Sequence, residues 1–228
     1  QGGEGFLFKA PRVTLSFNMG YGIPRAGSSL FQEVDTIFTL GKSDYQAPVV
    51  VGSLAIYLDQ RVDLVLDFSF TRSEAWSEYV DWEEELGNGQ FVPIVQQTGF
   101  TRVPLNLSVR YYLMDRGREI SRFAWVPTAW SPYLGFGVGR VYYEFSQEGD
   151  FVDFYDASIY TESHVSEGWG WSGHVLAGAQ YSLSSRLVVT AEGRYSLAEA
   201  ELNQALYGGH DPMDLSGFQG TLGFGVRF

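Results

Sequence analysis

The feature that most constrains this 228-residue chain is hydropathy that alternates with period two. In Val13-Thr14-Leu15-Ser16-Phe17-Asn18-Met19-Gly20-Tyr21 every odd position is large and apolar, and every even one is small or polar. The pattern returns in Val62, Leu64, Leu66, Phe68 and Phe70, interleaved with Asp63, Asp67, Ser69 and Thr71. It returns again in Val103, Leu105, Leu107, Val109, Tyr111 and Leu113, and in Phe218, Leu222, Phe224, Val226 and Phe228. Weaker versions cover 48–58, 132–145, 169–183 and 187–197. Successive strand side chains point to opposite faces, so each segment has one greasy and one polar face. On a helix the same residues would lie all round, and these segments are rich in β-branched and aromatic types. The reading is eight strands of roughly ten residues, long enough to cross a bilayer when tilted. Only Ser28 to Val34, in the first long connection, reads as a short capped helix.

The connections alternate strictly between short and long. Asp59-Gln60-Arg61 and Ser184-Ser185-Arg186 are tight turns, and 114–131 is a longer link on the same rim. The links near 24–47, 72–99, 146–168 and 198–214 are all long. An up-and-down barrel places every long loop at one rim and every short turn, with both termini, at the other. The expected fold is therefore all-β: an eight-stranded antiparallel up-and-down transmembrane β-barrel with four long extracellular loops and short periplasmic turns. It forms a single domain over 1–228, with 1–10 as a periplasmic N-terminal segment. Gln1-Gly2-Gly3-Glu4 reads as an export-processed or trimmed start. No run of eighteen apolar residues exists to form a spanning helix.

Charge follows the same division. The long links hold Glu33, Asp81, Glu83, Glu84, Glu85, Asp150, Asp153 and Asp156, and the opposite rim holds Arg12, Arg61, Arg116, Arg118, Arg122 and Arg186. Trp125 and Trp130 near the short turns, and Trp169 and Trp171 near the long links, read as two aromatic belts at membrane boundaries. A soluble lipocalin-like barrel would show the same alternation inside out. The polar face here is poor in Lys and Glu, rich in Gly, Ser, Thr and Asn, and includes Gly135, Gly137 and Gly139 in succession, which suits a crowded interior. A net charge of −12 argues against nucleic acid, and the absence of cysteine excludes disulfides and thiol chemistry.

The carboxy-terminal run Thr221-Leu222-Gly223-Phe224-Gly225-Val226-Arg227-Phe228 resembles the insertion signal of bacterial outer-membrane barrels. Thr221, Gly223, Val226 and Phe228 match its polar, glycine, antepenultimate and final positions. Ser131-Pro132-Tyr133-Leu134-Gly135-Phe136-Gly137-Val138-Gly139 resembles a recurrent strand of the small barrel family that includes OmpA, OmpX and OmpW. The resemblance is one of architecture over the whole chain. It implies a Gram-negative-type outer membrane, contact with its lipid and lipopolysaccharide, and insertion by the barrel-assembly machinery.

A barrel of eight strands is narrow enough for side chains to fill. Strand parity turns Asp63, Asp67, Arg110, His174, Glu192, Arg194 and Arg227 inward as a lumen network, whose buried charges must be paired or watered. A static plug and a gated ion path both fit these residues. Ser172-Gly173-His174 with Glu192 supplies a nucleophile, a base and an acid in name, but parity points them away from acyl chains. No cofactor is expected; the acidic runs lack the glycine and terminal Glu of a calcium loop. Segments 72–99 and 146–168 are dense in aromatics and read as contact surfaces for each other, a second copy or a surface partner. The functional expectation is a structural or surface-interaction barrel rather than an enzyme. Passage of small hydrophobic molecules in the OmpW manner is the first alternative and a lipid-modifying hydrolase the second.

Overall fold

The computed structural model describes residues 5–121 and 124–228. Gln1 to Glu4 and Arg122 lie outside them. The elements are β1 (Val13–Pro24), α1 (Ser29–Ile37), β2 (Ala47–Asp59), β3 (Val62–Glu85), β4 (Phe91–Tyr112), β5 (Gly117–Ser121), β6 (Ala124–Pro127), β7 (Trp130–Val152), β8 (Ile159–Ser182), β9 (Leu187–Ala200), α2 (Gln204–Tyr207), β10 (Met213–Asp214) and β11 (Gly217–Arg227). The eight long strands pair antiparallel with their chain neighbours, and β11 returns to β1 through Phe17↔Phe224. That last pairing closes the sheet, so every long strand has two partners at barrel level.

Alternation sorts the faces as expected. Phe68, Phe136 and Phe224 point outward with 50%, 66% and 62% of their surface exposed, while Asp63, Asp67 and Arg194 are buried inside. On β7 the outward apolar run lies between Trp130 and Arg140. About ten residues at ~3.3 Å each, tilted by ~40°, give a band of about 25 Å, the height of a lipid-facing belt. Glycines line the inner face where neighbours crowd in: a Cβ on Gly137 would strike His174, and one on Gly139 would strike Asn106.

Two expectations about the connections are overturned. The segments 72–99 and 146–168 are not long loops but the upper parts of tall hairpins, turning only at 86–90 and 153–158. Strands β3, β4, β7 and β8 run 24, 22, 23 and 24 residues, against 12, 13, 14 and 11 for β1, β2, β9 and β11. The tall four are adjacent in the barrel, so one wall rises far above the other. The link 114–131 is no simple turn either, since β5 and β6 pair within it as a small hairpin. The short helix is present, as α1.

Candidate functional site

Two closures occupy the tube, one above the other. The lower is polar. Arg194, on β9, binds Asp67 through two hydrogen bonds of 2.6 and 2.9 Å, the forked geometry a guanidinium offers a carboxylate. Its Nη2 also reaches Glu192 at 3.1 Å. Glu192 accepts from Arg110 (2.7 Å) and from the Tyr133 hydroxyl (2.8 Å), and Asn106 donates to Asp67 at 3.0 Å. Four strands (β3, β4, β7 and β9) thus contribute to one layer across the lumen. His174 Nε2 lies 2.8 Å from Ser108 Oγ beside it.

Register places Asp63 opposite Arg110, yet the two do not pair. Asp63 instead binds Arg116 (2.7 Å) and the Tyr112 hydroxyl (3.0 Å). Arg116, read from sequence as a rim charge, is folded inward by the link before β5 and lies over the rings of Tyr57 and Tyr112. Arg227 donates to Ser182 (2.9 Å) and Gln180 (3.5 Å). Trp125 is a further correction: it is buried, not part of a boundary belt. The β5–β6 hairpin turns its indole toward Arg227, and Leu7 pairs with Trp125 through the backbone, so this corner of the terminal mouth is stoppered. Trp130, Trp169 and Trp171 are outward and exposed at the two ends of the apolar band, with Arg140 over Trp171 at 4.8 Å.

The upper closure is apolar. Helix α1 lays Leu30, Phe31 and Val34 into the space enclosed by the tall wall, where they meet Phe100, Tyr143 and Phe145. Phe31 packs edge-on against Tyr45, Phe100 and Phe145 at 4.8, 5.5 and 5.9 Å. The connection from β9 to β11 adds Tyr207, Met213 and Leu215 to the same core. Burial pushes the Tyr45 phenol well above its ordinary range as it donates to Asp35 (3.0 Å), and burial likewise raises Asp35. The two tall hairpins pack on each other: Val152 N–H donates to the Tyr79 hydroxyl (3.2 Å), and Trp82 meets Phe154 at 5.8 Å.

The nominal hydrolase residues are not assembled. Ser172 donates to Asn106 (3.5 Å), His174 contacts Ser108, and Glu192 is held by Arg110, Tyr133 and Arg194. Among the described residues no group of three or more His, Asp or Glu is placed to hold a metal ion. Thr221 and Gly223 face inward on β11, while Val226 and Phe228 are outward, and the backbone of Phe228 pairs with Val13. Arg116 and Arg102 are interior residues that parity and loop position left out of the lumen set; Arg102 shares the inward face of β4 with Asn106 and Arg110.

The closed ring with an apolar exterior defines a transmembrane β-barrel of the small outer-membrane type. No protein-family model and no curated protein matches the chain. Among solved structures it is similar to Neisserial surface protein A, at 14% identity and a TM-score of 0.54, covering 99% of this chain and 100% of that one. It is also similar to the outer-membrane protein OprG of Pseudomonas aeruginosa, at 14% identity and a TM-score of 0.53, covering 96% and 97%. At such identity the likeness is one of fold.

Proposed function

We propose that this chain is an outer-membrane barrel that holds an ordered acidic and aromatic platform at the cell surface, over a lumen that does not conduct. The double closure carries this reading: an ion-pair layer spans the lower tube, and the α1 core fills the space above it. Little room is left for solute flow, whereas Trp76, Phe91, Phe154 and Tyr155 stand exposed on the tall wall. In this orientation the tall hairpins are extracellular and both termini periplasmic. The outward band contacts lipid and lipopolysaccharide, and Thr221, Gly223, Val226 and Phe228 present the assembly machinery with its signal. Planar-bilayer recording tests the lumen; absence of sustained single-channel current is expected, and a stable conductance overturns the plug. Because the chain has no cysteine, single substitutions report orientation cleanly. Asn88→Cys should react with an impermeant maleimide on intact cells, and Ser184→Cys only after the envelope is opened; the reverse pattern overturns the orientation.

A second reading has one observation behind it. A groove of about 510 Å³ lies between α1, α2 and the β7–β8 hairpin, with Leu30, Val34, Phe38, Phe151 and Tyr207 among its lining. Such a pocket suits capture of small hydrophobic molecules. Faster entry of an apolar solute into cells carrying the barrel, abolished by Val34→Trp, would favour passage over a platform.

A further inference from the structure

The interior holds a charge imbalance that its ion pairs leave unresolved. The lumen carboxylates are Asp63, Asp67 and Glu192, and the inward guanidiniums are Arg102, Arg110, Arg116, Arg194 and Arg227. Higher up, Asp214 is taken by Arg25 at 2.8 Å. Among the described residues Arg102 and Arg227 therefore have no carboxylate within 4.0 Å. Arg227 is served by Ser182 and Gln180. Arg102 is not: its one hydrogen bond is a long reach of 3.4 Å from Nη1 to the Leu215 carbonyl, and its Nε is shut from solvent without a partner. The Phe100 ring, 5.3 Å from the guanidinium carbon, offers a π-face but no counter-charge. This positive interior belongs to a chain whose net charge is −12, so the surplus is local.

Arg102 borders a chamber of about 40 Å³ between the ion-pair layer and the apolar cap. Ser69, Thr71, Asn106, Ser172, Ser196 and Gln219 share the lining, and no carboxylate does. Hydroxyls and amides can each turn a donor inward, and a guanidinium drawn partly out of water without compensation is costly. A chamber with room for a few waters admits a halide-sized ion.

We infer that this chamber is a binding site for a small monovalent anion of the chloride kind, held by Arg102 and the hydroxyl- and amide-bearing wall. Asp214, held by Arg25, acts on Arg102 only from beyond ion-pair distance; the anion supplies a counter-charge in contact, and it sits where the polar and apolar closures meet. The site concerns the interior alone and stands whether the loops serve as a platform or as a portal.

The test uses the full chain in zwitterionic detergent, exchanged between gluconate and chloride at constant ionic strength. Wild type should broaden the chloride-35 resonance, bromide should reverse the broadening, and chloride should raise the thermal midpoint by about 2–4 °C. Arg102→Gln should lose both effects while remaining at least as stable as wild type in gluconate; Arg102→Lys should keep them. Equal chloride responses in wild type and Arg102→Gln, or a wild type that leaves the resonance sharp, overturn the site. If Arg102→Gln fails to fold, the bromide-reversible broadening of wild type decides alone.

Discussion

The two closures solve one problem with opposite chemistry. In the lower tube, inward positions carry charge, and stability depends on every partner being present. In the upper tube the same inward positions carry aromatics, and stability grows with area buried. The contrast teaches that a polar plug is brittle to single deletions but tolerant of paired ones, whereas an apolar plug fails by degrees.

The largest expected effect follows from removing one partner below. Asp67→Leu takes from Arg194 its forked partner, leaving only the 3.1 Å contact with Glu192, and should cost about 3–5 kcal/mol in denaturant unfolding from micelles. Replacing both partners, Asp67→Leu with Arg194→Met, should recover most of that loss; if the double variant is as unstable as the single one, the brittleness is not electrostatic. Above, Phe31→Ala should cost about 3–4 kcal/mol by cavity formation. This loss is local, so a protease should now cut within 25–46 while the barrel itself stays folded by near-ultraviolet dichroism. Global unfolding would show that the cap and the barrel are one cooperative unit. Tyr79→Phe removes the hydroxyl that accepts from Val152 N–H and should cost about 1 kcal/mol. Its mark is faster amide exchange at Val152, with the lumen unchanged. Least of all, Arg72→Ala breaks a solvent-exposed pair with Glu74 and should leave the unfolding midpoint within error, since water and salt already weaken that contact.

The sequence reads differently in these regions for a physical reason. Where lipid lies outside, greasy and polar residues must alternate, so the barrel strands and the closing strand are legible in the sequence; inward Arg102, just ahead of the alternation that opens at Val103, is not. Above the bilayer, water lies outside. Arg72, Glu74 and Glu78 take the outward positions of β3 and Ser73 and Ser77 the inward ones, so alternation in hydropathy fades although alternation in geometry continues. The upper halves of the tall hairpins therefore read as loops. Partner choice in the lumen was not legible either, because opposite register positions such as Asp63 and Arg110 reach different partners across the tube. Arg116 and Trp125 escape the pattern for a related reason: the link before β5 turns the first inward and the β5–β6 hairpin the second, and parity says nothing about a connection. The dense aromatics of 72–99 and 146–168 did point to mutual packing, which Tyr79, Val152, Trp82 and Phe154 provide.

The adjacency of β3, β4, β7 and β8 gives the molecule a front and a back. Roughly ten additional residues per strand, at ~3.3 Å each, raise a screen of about 30 Å along the strand direction on one side only. A macromolecule coming from behind that screen would meet its outer face and not α1. From the low side the same visitor descends directly onto the helix. Access to α1 is therefore directional around the barrel axis, and anything crowding the low side would cover the cap without touching the tall wall.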